Sequence, residues 1–211
     1  EGRRKGNGSG GGISGNGPIE KVVIKLSDGK TREIKHVSSV MYLDPDGKPI
    51  TAKEFLERMF KDLPQFFENE DQLREIWSTP DTREKLLADL LEVGYDDEKL
   101  DGMKDLIDAK DSDVYDVLAY VAYETEPYSR AERVARARPA IRKAFTDAKQ
   151  QEFIEFILER YVEDGVRELA RSKMNSLVKL KYDNAHDAIA TLGSTGIIKE
   201  TFSGFQKYLY V

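Results

Sequence analysis

The sequence predicts a mainly α-helical fold, an irregular multi-helix domain with a small N-terminal β-hairpin and a disordered glycine-rich leader. Three observations predict this. From residue 51 onward, apolar residues recur every three or four positions, as on one face of a helix. Residues 21–42 alternate between apolar and polar side chains, as in a strand. Eight of the first 18 residues are glycine, a composition typical of flexible chain.

The leader, residues 1–18, reads EGRRKGNGSGGGISGNGP and has almost no apolar side chains. Glycine-rich chain loses much entropy on ordering, and this segment has little apolar surface to offset that loss. We therefore expect a flexible linker. Because the chain begins with Glu1 rather than Met, we expect it to be a fragment that the linker tethers to upstream domains of a larger protein.

Residues 19–50 are predicted to form a β-hairpin and a turn. Val22 and Ile24 lead into Asp28-Gly29, and Ile34 continues the alternation on the other side. Asp-Gly between two alternating runs is a strong hairpin signal, because glycine accepts the positive φ of the primed turns. A second turn is predicted at DPDG, residues 44–47.

Residues 51–211 are predicted to form a helical domain with eight or nine helices. Thr51 and Ser129 each precede a glutamate by three residues, which is the spacing of a capping box. Pro80 suits the first position of a helix that stops at Gly94. The last predicted helix has one apolar face that we expect to close the core, formed by Ile198, Phe202, Phe205 and Leu209.

Charge is spread unevenly along the chain, whose net charge is −6. Residues 51–126 carry 22 acids against 9 bases, whereas residues 127–150 carry 7 bases against 2 acids. The acidic half repels phosphate, so we expect at most weak DNA binding by this domain alone. The chain has no cysteine and no apolar stretch long enough to cross a bilayer. We expect a cytoplasmic protein without membrane contact.

The sequence patterns that could indicate a catalytic or metal-binding site each lack a residue that such a site requires. GKT at 29–31 resembles the end of a phosphate-binding loop, but Ile24 stands where that loop needs glycine. EIK at 33–35 resembles half of a metal-dependent nuclease core, but it has no suitably placed upstream aspartate. His36 and His186, the two histidines, have no cysteine partner. We expect no catalytic, cofactor-binding or metal-binding residue in this fragment.

An arginine-rich segment at 130–143 is the strongest candidate for contact with nucleic acid. Its side chains point around a helix rather than along one stripe, and Pro139 interrupts them. Ion pairing with the acidic half and contact with phosphate or a partner protein both remain open. The candidate phosphate contacts are Arg130, Arg133, Arg136, Arg138, Arg142 and Lys143.

Two tyrosines at the end of the chain are the candidate partner interface. Tyr208 and Tyr210 point partly away from the apolar face of the last predicted helix. Tyrosine combines apolar area with a polar tip and is enriched at protein interfaces.

Several short segments, taken in order, resemble a known family. They are FL at 55–56, LP at 63–64, LREIW at 73–77, PDTR at 80–83, DVYDVLAYVA at 113–122, RAER at 130–133, YV at 161–162, GVREL at 165–169, KY at 181–182, DA at 187–188, LG at 192–193 and FQKYLY at 205–210. Together they resemble the C-terminal domain of the R (restriction and motor) subunit of type I restriction-modification enzymes, of the EcoEI kind.

The resemblance implies a docking domain at 51–211. In this family the R subunit combines a nuclease domain, two helicase-like ATPase domains that translocate DNA, and a helical C-terminal region. That region is thought to join the motor to the core of modification (methyltransferase) and specificity subunits. The parent would be a type I site-specific deoxyribonuclease, with ATP and Mg²⁺ bound in its other domains. The alternative is a DNA-contacting module of the same motor that uses the segment 130–143.

Overall fold

A computed structural model of the chain describes residues 21–35, 41–44 and 46–211. This part is mainly α-helical, as predicted, with two short β-hairpins ahead of the helices. The linker predicted at 1–18 lies outside the described residues, as does His36. Among the helices described here, none has the length and apolar character needed to span a membrane.

The first hairpin pairs β1 (Lys21–Lys25) with β2 (Thr31–Lys35) in antiparallel register. Val22 lies opposite Ile34, as the alternation predicts. Ile24 and Ile34 are buried and hold the hairpin against the helices, since a two-stranded sheet is marginally stable alone.

The turn of this hairpin differs from the predicted primed turn. Gly29 has a φ of 86°, whereas Asp28 is not among the positive-φ residues. A hydrogen bond from the Leu26 N–H to the Lys30 carbonyl closes a three-residue loop at 2.7 Å. The Asp28 carboxylate accepts the Lys30 N–H at 2.9 Å, a local bond that favours ordinary turn geometry at the aspartate. Only the glycine therefore needs a left-handed conformation.

A second hairpin, which the sequence did not predict, flanks the turn at 44–47. It pairs β3 (Met41–Leu43) with β4 (Pro49–Thr51). The Asp44 carboxylate accepts the backbone N–H groups of Asp46 and Lys48 at 3.0 and 2.8 Å. This side chain therefore organises the turn, although position 45 lies outside the described residues.

The described residues form ten α-helices, more than the eight or nine predicted. Short 3₁₀ turns lie at Leu63–Gln65, Val166–Leu169, Arg171–Lys173 and Gln206–Leu209. The α-helices are α1 (Ala52–Asp62), α2 (Glu70–Ser78), α3 (Pro80–Glu92), α4 (Asp97–Leu106), α5 (Val114–Tyr123), α6 (Arg130–Ala144), α7 (Ala148–Asp164), α8 (Met174–Tyr182), α9 (Ala185–Leu192) and α10 (Thr195–Gly204).

Helix α1 begins at its predicted capping box. The Thr51 hydroxyl accepts the Glu54 N–H, and the Glu54 carboxylate accepts the Thr51 N–H at 2.7 Å. Helix α3 begins at Pro80 as predicted, but the Thr79 side chain makes no capping hydrogen bond. Gly94, at a φ of 95°, follows the end of α3 and confirms the predicted stop.

The end of the chain closes the core but is not one helix. Ile198, Phe202, Phe205 and Leu209 are all buried, as predicted. Helix α10 stops at Gly204, and a 3₁₀ turn follows. The buried Gln206 amide donates to the Phe202 carbonyl at 2.9 Å, which satisfies a backbone acceptor that α10 leaves at its C-terminus.

Candidate functional site

Helix α6 carries the arginine-rich segment. It begins at the predicted capping box, in which the Ser129 hydroxyl accepts the Glu132 N–H and the Glu132 carboxylate accepts the Ser129 N–H. The helix continues through Pro139 to Ala144. The expectation that Pro139 interrupts the arginine-rich segment is wrong. The helix continues through Pro139 and tolerates the absence of the one backbone N–H that proline lacks.

Arg133 is buried, so its predicted contact with phosphate is wrong. Its side chain is 4% exposed. The guanidinium donates to the Asp116 carboxylate at 2.5 Å and to the Leu209 carbonyl at 3.1 Å. It also lies over the Tyr210 ring, 4.7 Å from the centroid. Arg133 therefore joins α6 to α5 and to the end of the chain.

The ionisation of this pair is shaped by burial and by mutual attraction. Burial raises the pKa of Asp116 above its usual value, although Arg133 opposes the shift. Burial acts to lower the pKa of Arg133, but the carboxylates of Asp116 and Asp113 raise it above its usual value. Removing one partner of such a pair leaves an uncompensated buried charge. We conclude that the pair has a structural role.

Arg130 and Arg136 are also engaged within the domain. Arg130 is half-buried and donates to the Val162 and Ser112 carbonyls at 3.1 and 3.0 Å. Arg136 is exposed, and its guanidinium lies 4.1 Å from the centroid of the Tyr128 ring. Of these two arginines, only Arg136 has an exposed side chain.

The C-terminal half of α6 pairs with α7. Arg138 and Arg142 both form ion pairs with Glu155, at 3.1 and 3.5 Å. Lys143 is exposed and makes no ion pair within the described residues. Among the six candidate phosphate contacts, Arg136, Arg142 and Lys143 are exposed, and Arg136 and Lys143 form no ion pair within the described residues. Their contact with DNA stays a prediction.

The two candidate interface tyrosines have different environments. Tyr210 is 1% exposed, and its hydroxyl donates to the Asp113 carboxyl at 2.7 Å. Its expected exposure is wrong, because the 3₁₀ turn after α10 directs the side chain inward against the rings of Trp77 and Tyr115. Tyr208 is partly buried, and its contact with a partner stays a prediction.

Asp113 is the centre of a buried polar cluster that the sequence did not reveal. Its carboxyl accepts hydrogen bonds from the hydroxyls of Tyr161 and Tyr210 at 2.5 and 2.7 Å. The pKa of both tyrosines lies above the ordinary value for tyrosine, mainly because they are buried and secondly because the charge of Asp113 is close. All three side chains are buried, so the cluster positions the end of the chain and is not placed to bind a substrate.

The acidic half, residues 51–126, carries several exposed carboxylates that form no ion pair with another described residue. Asp113 and Asp116 are buried. Asp97, Glu98, Asp108 and Asp111 are exposed. Within the described residues, the exposed acids of 51–126 that form no ion pair include Glu68, Glu75, Glu92, Glu98, Asp111 and Glu126.

The motifs with apparent chemistry occupy ordinary hairpin positions. Lys30 follows the turn, with its amine 3.5 Å from Asp28. Glu33 and Lys35 on β2 pair with Lys21 and Asp108 at 3.6 and 2.5 Å. Across the part of the chain that the structure describes, no group of three or more potential ligands could hold a metal ion.

Comparison with known proteins gives a consistent result. A family model described as "EcoEI R protein C-terminal" matches residues 53–210. The Escherichia coli protein "Type I restriction enzyme EcoAI endonuclease subunit" is 29% identical over 171 residues, which are 80% of this chain and 19% of that protein. The chain therefore spans about a fifth of the length of that curated relative. No solved structure matches the chain.

The family match covers the helices α1–α10 and ends at the buried Tyr210. It confirms the resemblance carried by the short segments between residues 55 and 210. The chain belongs to the EcoEI R protein C-terminal family, the C-terminal domain of type I restriction enzyme R subunits.

Proposed function

We propose that this domain is a non-catalytic docking module. It joins the DNA-translocating nuclease and ATPase motor of an R subunit to the modification–specificity core of a type I restriction enzyme, for restriction of foreign DNA. The observation that carries the proposal is the distribution of charge on the folded domain. Unpaired carboxylates lie exposed on the acidic half, while most of the arginines of α6 are bound internally.

This distribution favours a protein partner over nucleic acid. A surface rich in carboxylates repels phosphate but attracts a basic protein surface, and such complementarity steers association and selects partners. Arg130 and Arg133 are bound inside the domain, and Arg138 and Arg142 pair with Glu155 at its surface. Within the described residues, few cations of α6 are therefore left without a partner for a DNA backbone. The charges of the domain therefore favour a basic protein surface as its partner.

The proposal also concerns the catalytic activities of the parent protein. The chain spans 19% of an endonuclease subunit. We expect the nuclease and ATP-dependent translocase activities, and the binding of ATP and Mg²⁺, in other domains of the parent. The upstream motor domains of the same chain are then the second contact of this module.

The alternative function is contact with DNA through α6. Arg136 and Lys143 are exposed on this helix, and residues 127–150 carry a local excess of 7 bases over 2 acids. These residues could add a weak, salt-sensitive contact with phosphate. The double variant Arg136→Ala, Lys143→Ala separates this alternative from docking.

A co-elution experiment tests the docking function. The 211-residue chain is mixed with the purified modification–specificity core and passed over a size-exclusion column. We expect co-elution of the chain with the core, unchanged in the Arg136→Ala, Lys143→Ala variant. Separate elution at micromolar concentrations would contradict docking. A duplex-DNA Kd below about 1 µM at physiological salt, lost in the double variant, would favour the DNA-contacting alternative.

A further inference from the structure

Helix α3 carries apolar side chains beyond its buried face. Leu86 and Leu90 are buried in the core. Leu87 is half-buried and Leu91 is 59% exposed, and both lie about 100° around the helix from Leu86 and Leu90. Positions four residues apart share one helix face, so Leu87 and Leu91 form a second, outward stripe. A surface helix normally needs only the inward one.

The outward stripe borders a groove between α3 and α4. The groove has a volume of about 250 Å³ and is lined on the α3 side by Leu87, Ala88 and Leu91. Tyr95 and Leu100, which are both buried, line it as well. This volume is below the roughly 300–1,000 Å³ of typical small-molecule sites. It suits one or two apolar side chains of a docked peptide segment.

Three carboxylates line this groove, those of Glu84, Asp96 and Asp97, and two more adjoin its lining residues in the sequence. Asp96 and Asp97 line it, and they pair with Lys99 and with Arg167 at its edge. Glu92 at the end of α3 and Glu98 in the first turn of α4 do not line the groove, but they are exposed and directly follow the lining residues Leu91 and Asp97. Neither of these two glutamates forms an ion pair within the described residues. The unpaired charge is therefore negative.

We infer that the groove receives a basic, amphipathic segment of the modification–specificity core. An apolar side chain of that segment would lie against Leu87 and Leu91, with Lys or Arg facing Glu92 and Glu98. This inference rests on the proposed docking function and locates its contact surface. Charge complementarity supports it, because a second copy of the domain would bring one acidic rim against another in a two-fold interface.

Leu91→Glu tests the inference, with Leu180→Glu as a matched control. Leu180 on α8 is 63% exposed, close to the 59% of Leu91, and does not line the groove. Both variants should keep the wild-type melting temperature, because exposed sites away from special features tolerate substitution. We expect Leu91→Glu to weaken binding to the core about tenfold or more, and Leu180→Glu to leave it unchanged.

Charge reversal gives a second test that leaves the apolar stripe intact. Glu92→Lys with Glu98→Lys should weaken binding to the core and reduce its dependence on salt concentration. The control, Glu68→Lys with Glu126→Lys, makes the same change in net charge at acids that neither line the groove nor adjoin one of its lining residues in the sequence. It should affect binding several-fold less.

The outcomes distinguish the inference from the function on which it rests. If the wild-type chain does not bind the core, both fail. If it binds, but Leu91→Glu and Leu180→Glu bind equally well, docking stands and the groove is not its site. Self-association of the chain that Leu91→Glu abolishes, without any change in core binding, would assign the groove to a second copy and overturn the inference.

Discussion

Three arginines are almost fully enclosed by the fold, and each satisfies backbone carbonyls far away in the sequence. Arg83 donates to the Leu169 carbonyl at 2.9 Å, and Arg32 donates to the Tyr120 carbonyl at 2.7 Å. Arg133 reaches Leu209. Arginine is almost never fully buried unless it is paired. An arginine is therefore expected at the surface unless a partner is known, and the local sequence does not indicate that these three are buried. The three carbonyls named here lie 76 to 88 residues away from their arginines in the sequence. A contact at this separation leaves no pattern around Arg133, which was therefore predicted to face phosphate.

Tyr210→Phe should destabilise the domain, whereas Tyr208→Phe should not. The Tyr210 hydroxyl is one of two that donate to the buried Asp113 carboxyl, and its loss removes one of these two hydrogen bonds. We expect a decrease of about 1–3 kcal/mol in the free energy of unfolding, measured by urea titration. Tyr208 is only partly buried, so its substitution should stay within about 0.5 kcal/mol. Equal effects of the two variants would show that the bond to Asp113 contributes nothing.

At the scale of elements, the sequence predicts structure well where the signal is local. The capping boxes at Thr51 and Ser129 depend on side chains three residues apart, and both form. The second hairpin was missed because its strands have three residues each, too few to establish an alternation. The split after Gly204 was missed because a helix and a following 3₁₀ turn bury the same apolar positions.

Ser129→Ala should destabilise the start of α6, with Thr79→Ala as the control. Ser129 accepts the Glu132 N–H, whereas Thr79 occupies the equivalent position before α3 without a capping hydrogen bond from its side chain. Loss of a cap costs about 0.5–2 kcal/mol. We expect the free energy of unfolding to fall by about 1 kcal/mol for Ser129→Ala, and by clearly less for Thr79→Ala. An equal or larger effect at Thr79 would contradict this reading of the two helix starts.

At the scale of the whole molecule, one continuous core joins the hairpins to the end of the chain. It extends from Ile24 and Ile34 on the first hairpin, through Trp77, to Tyr210. Buried tyrosines occur throughout it, and burial raises the pKa of Tyr42 in β3 to about 12. A core shared in this way should unfold in one cooperative transition. The ionisation of any of these tyrosines therefore bears on the stability of the whole domain.

The domain should lose stability in alkali, with a slope that depends on Tyr161. Its folded-state pKa lies above the ordinary value of 10.0 because the side chain is buried and close to Asp113. Its contribution is fully present below pH 10, and it is lost as the pH rises toward the folded-state pKa, because only the unfolded chain releases the proton there. In this pH range, each tyrosine of this kind lowers the free energy of unfolding by up to about 1.4 kcal/mol for each unit of pH increase. Urea titrations between pH 9 and 11 should therefore show a shallower decline for Tyr161→Phe than for the wild type, whatever the starting stability of the variant. Contributions from groups that the two proteins share cancel in the comparison, so parallel declines would mean that Tyr161 is not buried as a neutral phenol.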